Sequence, residues 1–232
     1  MYTKNNFISL AMKCTIFITS GTAWLLTSPG ASIPERLKYL VYFTNVSILV
    51  CFFLYGYITV ESLVKFKQTD GYYYRSVKTA FLKGALLVML VFTMLVFHFG
   101  LSMTEFAEQV NQNLMNRVVN ILLHYAIPVL CVLDWVLFDR KGSFRLIYPI
   151  AWLIIPFVYF LLVMLRAEFG TLIPHTESRF PYFFFDIDDL GFADVLAYAL
   201  WFAIAFMVMG YIVVLVDKIM EKHSLKLAKK DL

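Results

Sequence analysis

The sequence predicts an all-α, polytopic integral membrane protein, a six-transmembrane-helix bundle with both termini on the cytoplasmic side. Three observations predict this class. Of the 232 residues, 61% are hydrophobic and only 16% are charged, whereas a soluble domain of this size carries more charge. The chain has six long apolar runs, and a span needs about 20 mostly apolar residues. Fifteen of the 20 lysine and arginine residues lie near the two termini or the even-numbered connections, and positive charge favours the cytoplasm.

The six predicted spans occupy nearly the whole chain, so we expect a single membrane domain over residues 1–232. Their approximate bounds are 7–27, 38–64, 80–102, 117–138, 145–166 and 191–217. The first run is too long for the apolar core of a signal peptide and is therefore interpreted as a span. The fourth is short, but Arg117 can extend to one interface and Asp134 begins the other. Pro128 and Pro156 predict kinks in the fourth and fifth spans.

The polar segments between the spans differ in character. The first connection contains Pro29, Gly30 and Pro34 and predicts a tight external turn. The fifth is long, acidic and aromatic, and it includes Phe180–Asp186 (FPYFFFD). Its aromatic side chains fit the belt at a membrane interface. The alternative is a lid that closes over an apolar ligand.

Charge and motif content narrow the function classes. The net charge of +4 comes largely from lysines next to the spans, which favours contact with anionic membrane lipids and not with nucleic acid. These flanking charges include Lys13 and Lys83. The three cysteines have no metal-binding or redox spacing and are interpreted as packing residues. The sequence contains no GxSxG, HExxH, P-loop or GxGxxG motif, and no cofactor is predicted.

Two polar residues in parallel spans lie at similar predicted depths. Thr44 lies about 8 Å below the external end of the second span, and His124 about 9 Å below that of the fourth. A threonine hydroxyl becomes a nucleophile when a base takes its proton, and histidine is the side chain best suited to do so. An imidazole buried among apolar side chains stays neutral, which is the form a base needs. The alternative is structural, with Thr44 bonded to its own helix and His124 to a neighbouring one.

Three more polar side chains belong to the candidate site. Asn45 follows Thr44, His98 lies about 9 Å from the external face, and Asn120 precedes His124 by one helical turn on the same face. Each is a possible substrate-binding or oxyanion-stabilising group. Zinc would require a third ligand beside the two histidines, and Glu105, Glu108 and His175 have no informative spacing. No metal is predicted. Asp134 lies too deep to orient His124 and is interpreted as an inner-interface cap or a helix-to-helix bond.

Four segments resemble a known family, the bacterial six-span branch of the androgen-induced protein family. They are Tyr42–Ser47 (YFTNVS), His124–Phe138 (HYAIPVLCVLDWVLF), Tyr148–Pro149 and Pro181–Asp186 (PYFFFD). Vertebrate members, among them the androgen-dependent regulator of tissue factor pathway inhibitor, resemble intramembrane threonine hydrolases of fatty acid esters of hydroxy fatty acids. The resemblance implies that Thr44 is the nucleophile and His124 the base. The Asp134–Trp135 pair departs from the vertebrate pattern, so the reaction class transfers better than the substrate.

The expected function is that of an intramembrane threonine-type lipid-ester hydrolase in the cell membrane, acting on a lipid or acyl-ester substrate. The alternative is a non-catalytic membrane protein that binds or transports a lipid or another small hydrophobic ligand. The two differ in chemistry, since the hydrolase needs the Thr44 hydroxyl as a nucleophile whereas the binder needs it as a polar contact.

Overall fold

The computed structural model describes residues 6–28, 30–66, 77–102, 113–170, 172–173 and 178–228. The described residues are all-helical, with 84% helix and no strands. Six helices are long and apolar enough to cross a membrane by length and composition, which confirms the predicted all-α class and the predicted number of membrane-length helices. They are Asn6–Leu26, Phe43–Val64, Thr79–Leu101, Leu114–Phe138, Tyr148–Phe169 and Phe192–Lys226. The second begins later than the predicted residue 38, and the sixth continues beyond 217.

The α-helices are labelled in chain order. They are α1 (Asn6–Leu26), α2 (Ile33–Leu37), α3 (Phe43–Val64), α4 (Val77–Val96), α5 (Leu114–Ile121), α6 (Ile127–Phe138), α7 (Tyr148–Trp152), α8 (Ile154–Phe169), α9 (Ile187–Leu190) and α10 (Phe192–Ala228). Short 3-10 turns lie at Lys38–Val41 and Phe183–Phe185. Two π-helical turns continue the long helices, the first at Phe97–Leu101 after α4 and the second at Leu122–Ala126 between α5 and α6.

Proline explains two of the irregularities. A proline lacks an N–H, and its ring clashes with the carbonyl four residues earlier. For Pro128 that carbonyl belongs to His124, which lies within the second π-helical turn. For Pro156 it belongs to Trp152, where α7 ends before α8 begins at Ile154. The structure thus has a helical irregularity ahead of each proline, where kinks are predicted.

The chain divides into two compact units. The first unit comprises Met1–Arg145 and Val213–Leu232, and the second comprises Leu146–Ile212. The single domain over 1–232 stays a prediction.

In the first unit, α1 and α3 approach closely through two glycines. A Cβ atom added at Gly21 of α1 would lie 2.7 Å from the Phe52 ring of α3, and one added at Gly56 of α3 would lie 3.0 Å from the Phe17 ring of α1. The two rings stack with centroids 4.8 Å apart. Small residues allow such close packing between apolar helices. Each helix therefore places an aromatic ring over the other helix's glycine.

The remaining long helices of the first unit pack around this pair. Helix α3 contacts α4, while α6 contacts both α1 and α4. The second π-helical turn contacts α1, α3 and α4. Buried side chains between these elements include Ile16, Ile48, Leu90 and Ile127. The second π-helical turn therefore lies inside the packed helices and not at their outer surface.

In the second unit, the aromatic loop packs against α10. Phe180, Phe184 and Phe185 are buried. The ring of Phe184 lies 4.6 Å from that of Phe202. The Asp186 carboxylate caps α9 by accepting from the N–H groups at 188 and 189, and it also accepts from the hydroxyl of Ser178 at 2.6 Å. These contacts tie residues 178–190 to the unit. The membrane-interface and lid interpretations of this loop both stay predictions.

Candidate functional site

Thr44 is the second residue of α3. The backbone of Tyr42 is extended, with φ −89° and ψ 129°, so the helix begins at Phe43. The Thr44 side chain is half-buried. The next residue, Asn45, is buried, and its amide donates to the Tyr39 carbonyl at 3.0 Å. The side-chain oxygen of Asn45 has no hydrogen-bond partner within the described residues.

His124 lies on the second π-helical turn and is 8% exposed. Its imidazole stacks on the Phe97 ring, with centroids 3.8 Å apart and planes within 8°. Its Nδ1 atom has no hydrogen-bond partner within the part of the chain that the structure describes. Buried polar atoms are rarely left without a partner, so each such atom calls for an explanation. A site for water or a ligand explains it directly.

The two π-helical turns meet through consecutive residues. Phe97 stacks on His124, and the neighbouring His98 accepts or donates a hydrogen bond at 3.1 Å between its Nδ1 and the Tyr125 hydroxyl. The first turn closes through a bond from the Ser102 N–H to the Phe97 carbonyl, five residues back. A π-helical turn holds one more residue than an α-turn and is frequent at functional sites. This junction fixes the plane of the His124 ring.

The structure brings some of the predicted site residues to neighbouring elements. Helix α3, which carries Thr44 and Asn45, contacts the second π-helical turn, which carries His124. His124 Nδ1 is not hydrogen-bonded to the Thr44 hydroxyl within the described residues. His98 is exposed, and Asn120 is half-buried. The roles predicted for these five residues stay predictions.

The described residues contain no group of three histidine, cysteine or acidic side chains that could hold a metal ion. The further metal ligands considered from the sequence, Glu105, Glu108 and His175, lie outside the described residues. Cys51 and Cys131 are buried free thiols whose sulfur atoms lie 3.8 Å apart. The described side chains of the candidate site carry hydroxyl, imidazole and amide groups.

A second polar cluster joins four helices of the first unit. Lys13 of α1 donates to Asp134 of α6 at 3.0 Å. Lys83 of α4 pairs with Asp134 and, at 2.9 Å, with Asp139. The Tyr55 hydroxyl of α3 donates to Asp134 at 3.0 Å. We call Lys13, Lys83, Asp134 and Asp139 the charged cluster.

The charged cluster corrects the interpretation of Lys13 and Lys83 as flanking charges. It also decides between the two roles predicted for Asp134. Lys13 and Lys83 do not flank the helices as expected, because both are buried and paired with acidic side chains. Asp134 forms helix-to-helix bonds, one of its two predicted roles. The sequence already indicates ionisable residues inside the membrane helices, since both lysines and Asp134 fall within predicted spans. Ionisable residues there pair with one another, but the pairing itself depends on packing.

Comparison of the chain with protein-family models, with curated protein sequences and with solved structures yields no match. The resemblance to the androgen-induced protein family stays a prediction that rests on the quoted segments. The proposed function therefore rests on the residues of the site itself.

Proposed function

We propose that the chain is a multi-pass cell-membrane protein and an intramembrane threonine-type lipid-ester hydrolase, with Thr44 as the nucleophile and His124 as the general base. The observation that carries the proposal is the buried imidazole of His124, whose Nδ1 has no hydrogen-bond partner within the described residues. It lies on a π-helical turn that contacts the helix of Thr44. A neutral imidazole with an open nitrogen beside a hydroxyl-bearing helix suits proton abstraction.

The reaction proceeds in two halves. His124 takes the hydroxyl proton of Thr44 as the oxygen attacks the acyl carbonyl carbon. The tetrahedral intermediate collapses, the ester C–O bond breaks, and the departing oxygen takes the proton from His124 to leave as an alcohol. Water then loses a proton to His124 and attacks the acyl-threonine. Collapse releases the carboxylic acid, and the proton returns to the threonine oxygen.

Amide and imidazole groups near this pair can stabilise the developing oxyanion. The Asn45 amide is held by the Tyr39 carbonyl at 3.0 Å. His98 and Asn120 are further candidates for polarising the carbonyl. The substrate class is a lipid or acyl ester, because the surrounding spans are apolar and an acyl chain can lie between them.

One observation favours a second candidate function. His124 Nδ1 is not bonded to the Thr44 hydroxyl within the described residues. A non-catalytic protein that binds or transports a lipid would use the same polar groups to hold a head group, without any bond between them. Catalytic hydrogen bonds are also often long in proteins without substrate, so an activity measurement must separate the two functions.

The distribution of charge supports the proposed orientation. Apart from the buried Lys13 and Lys83, thirteen of the 20 lysine and arginine residues lie near the termini or the even-numbered connections. Positively charged connections stay on the cytoplasmic side. Both termini are therefore proposed to be cytoplasmic, which puts Thr44 and His124 near the external ends of their helices.

The test is covalent labelling of the purified protein with a fluorophosphonate probe, together with turnover of a panel of lipid esters. We expect Thr44→Ala to abolish labelling and turnover, and His124→Ala to lower the turnover rate by about 100-fold or more. The matched control is Thr15→Ala, because Thr15 is exposed and bonds the Ala11 carbonyl of its own helix. This variant should be labelled like the wild type.

Equal labelling of wild type and Thr44→Ala would exclude Thr44 as the nucleophile. Absence of labelling and turnover in the wild type, combined with saturable binding of a lipid that Thr44→Ala weakens, would favour the binding protein instead. Thr44→Ser adds a positive check, since it keeps a hydroxyl and should keep measurable labelling.

A further inference from the structure

The charged cluster is buried and electrically balanced. The exposed fractions of Lys13, Lys83, Asp134 and Asp139 are 1%, 2%, 0% and 4%. Two ammonium groups face two carboxylates, so the fully ionised cluster has no net charge. An unpaired charge in an apolar interior is very costly, whereas a paired and hydrogen-bonded one is tolerated.

The hydrogen bonds of the cluster fit its ionised form. The Lys13 ammonium donates to the Ser9 hydroxyl at 2.7 Å, to the Ser9 carbonyl at 3.4 Å and to Asp134 at 3.0 Å. The Lys83 ammonium has one acceptor atom on Asp134 and two on Asp139. Each ammonium thus has as many acceptor atoms as it has hydrogens. The Tyr55 hydroxyl adds a further donor to Asp134.

From this geometry we infer that the charged cluster acts as one electroneutral clasp, which holds α1, α3, α4 and α6 together, and that charge balance within the cluster decides whether the clasp forms. This role in holding the helices together does not depend on the proposed hydrolase activity. Asp134 lies ten residues from His124, about 15 Å by helix rise.

A proton relay is the other function that buried ionisable residues serve in membranes. The surroundings of the cluster argue against it. One turn from Tyr55 and Asp134, towards the candidate site, the facing residues are Cys51 and Cys131. One turn further lie Ile48 and Ile127, both fully buried, and the buried Ser47 hydroxyl donates to the Phe43 carbonyl of its own helix. The hydrogen bonds of the cluster therefore do not continue to the candidate site, whereas a proton relay across the membrane would need a continuous chain of them.

The test compares single and charge-balanced double variants of the full chain in detergent. Lys13→Met leaves the cluster with net charge −1, and Asp134→Asn leaves it with +1. The double variant Lys13→Met/Asp134→Asn has no net charge and keeps the Lys83–Asp139 pair. We expect each single variant to lower the melting temperature by ~10 °C. The double variant should melt above both.

A second set repeats the test on the other pair. Lys83→Met and Asp139→Asn unbalance the cluster singly, while their combination keeps Lys13 bonded to Asp134. The control is Lys65→Met, because Lys65 is exposed and its salt-bridge partner Glu61 is half-buried. Such surface pairs contribute little, so the control should melt within ~2 °C of the wild type.

Variants that fail to fold remain informative. The yield of monodisperse protein in size-exclusion chromatography then replaces the melting temperature, and the double variants should recover protein that the single variants lose. If both double variants melt lower than their single variants, or yield less protein, charge balance does not decide assembly and the inference is wrong. Single variants that behave like Lys65→Met would overturn it as well.

Discussion

At the scale of single residues, the contact that most constrains the candidate site is the stack between Phe97 and His124. A flat ring at 3.8 Å covers one face of the imidazole. The ring edge, with the Nδ1 atom that lacks a partner within the described residues, is left as the side that can react. The His98–Tyr125 hydrogen bond joins the same two π-helical turns one residue further along each of them. Phe97 is thus a positioning residue for the proposed base.

Replacing Phe97 tests this positioning without any assay of activity. The chain has four histidines, so histidine-selective isotope labelling gives a simple spectrum. We expect the ring protons of His124 to be shifted upfield by the Phe97 ring, and this shift to disappear in Phe97→Leu and persist in Phe97→Tyr. Loss of the aromatic pair should also lower the free energy of unfolding by about 1 kcal/mol.

The matched control is Phe99→Leu, on the same π-helical turn. Phe99 is 78% exposed, so its removal should leave the His124 signals in place. An upfield-shifted signal that survives in Phe97→Leu would mean that another ring causes the shift, and the positioning role of Phe97 would be lost.

At the scale of elements, the sequence predicts the helices better than their irregularities. The apolar runs predict both 80–102 and 117–138 as spans, and Pro128 predicts a kink in the second. The first π-helical turn, Phe97–Leu101, has no such marker, since it contains no proline. Its conformation depends on its packing against the second π-helical turn. The hydropathy of one segment carries no information about such a contact between segments.

The loop before α10 gives a prediction at this scale. Asp186 caps α9 and accepts from the Ser178 hydroxyl. Asp186→Ala removes both interactions and should destabilise the loop by about 1 kcal/mol. We expect limited proteolysis within residues 178–190 to become about 5-fold faster. Asp189→Ala is the control, because Asp189 is exposed. Equal cleavage rates in the two variants would show that the cap does not hold the loop.

At the scale of the whole molecule, the proposed orientation can be tested by thiol labelling in intact cells. Ile33→Cys lies in the first connection, and Ser143→Cys lies in the fourth. A membrane-impermeant maleimide should label Ile33→Cys in intact cells and Ser143→Cys only after permeabilisation. The wild type, with Cys14, Cys51 and Cys131, measures the background. The reverse pattern of labelling would invert the proposed topology.

The sequence predicts local properties of this molecule and misses those that depend on distant packing. The six apolar helices follow from the hydropathy of continuous segments. The burial of His124 is likewise expected from its place in an apolar run. The charged cluster is not expected from the sequence, because Lys13 and Asp134 are 121 residues apart. Lysines near the ends of spans can also extend to the membrane interface. Only the packing of α1 against α6 decides whether Lys13 lies at that interface or is buried beside Asp134.

The pairing of Lys13 with Asp134 has a consequence for biogenesis. The lysine is synthesised 121 residues before its acidic partner. At a translation rate of about 5–20 residues per second, it waits roughly 6 to 24 s for that partner to emerge from the ribosome. During this interval the first helix carries an uncompensated positive charge, so its final docking must follow synthesis of the fourth span.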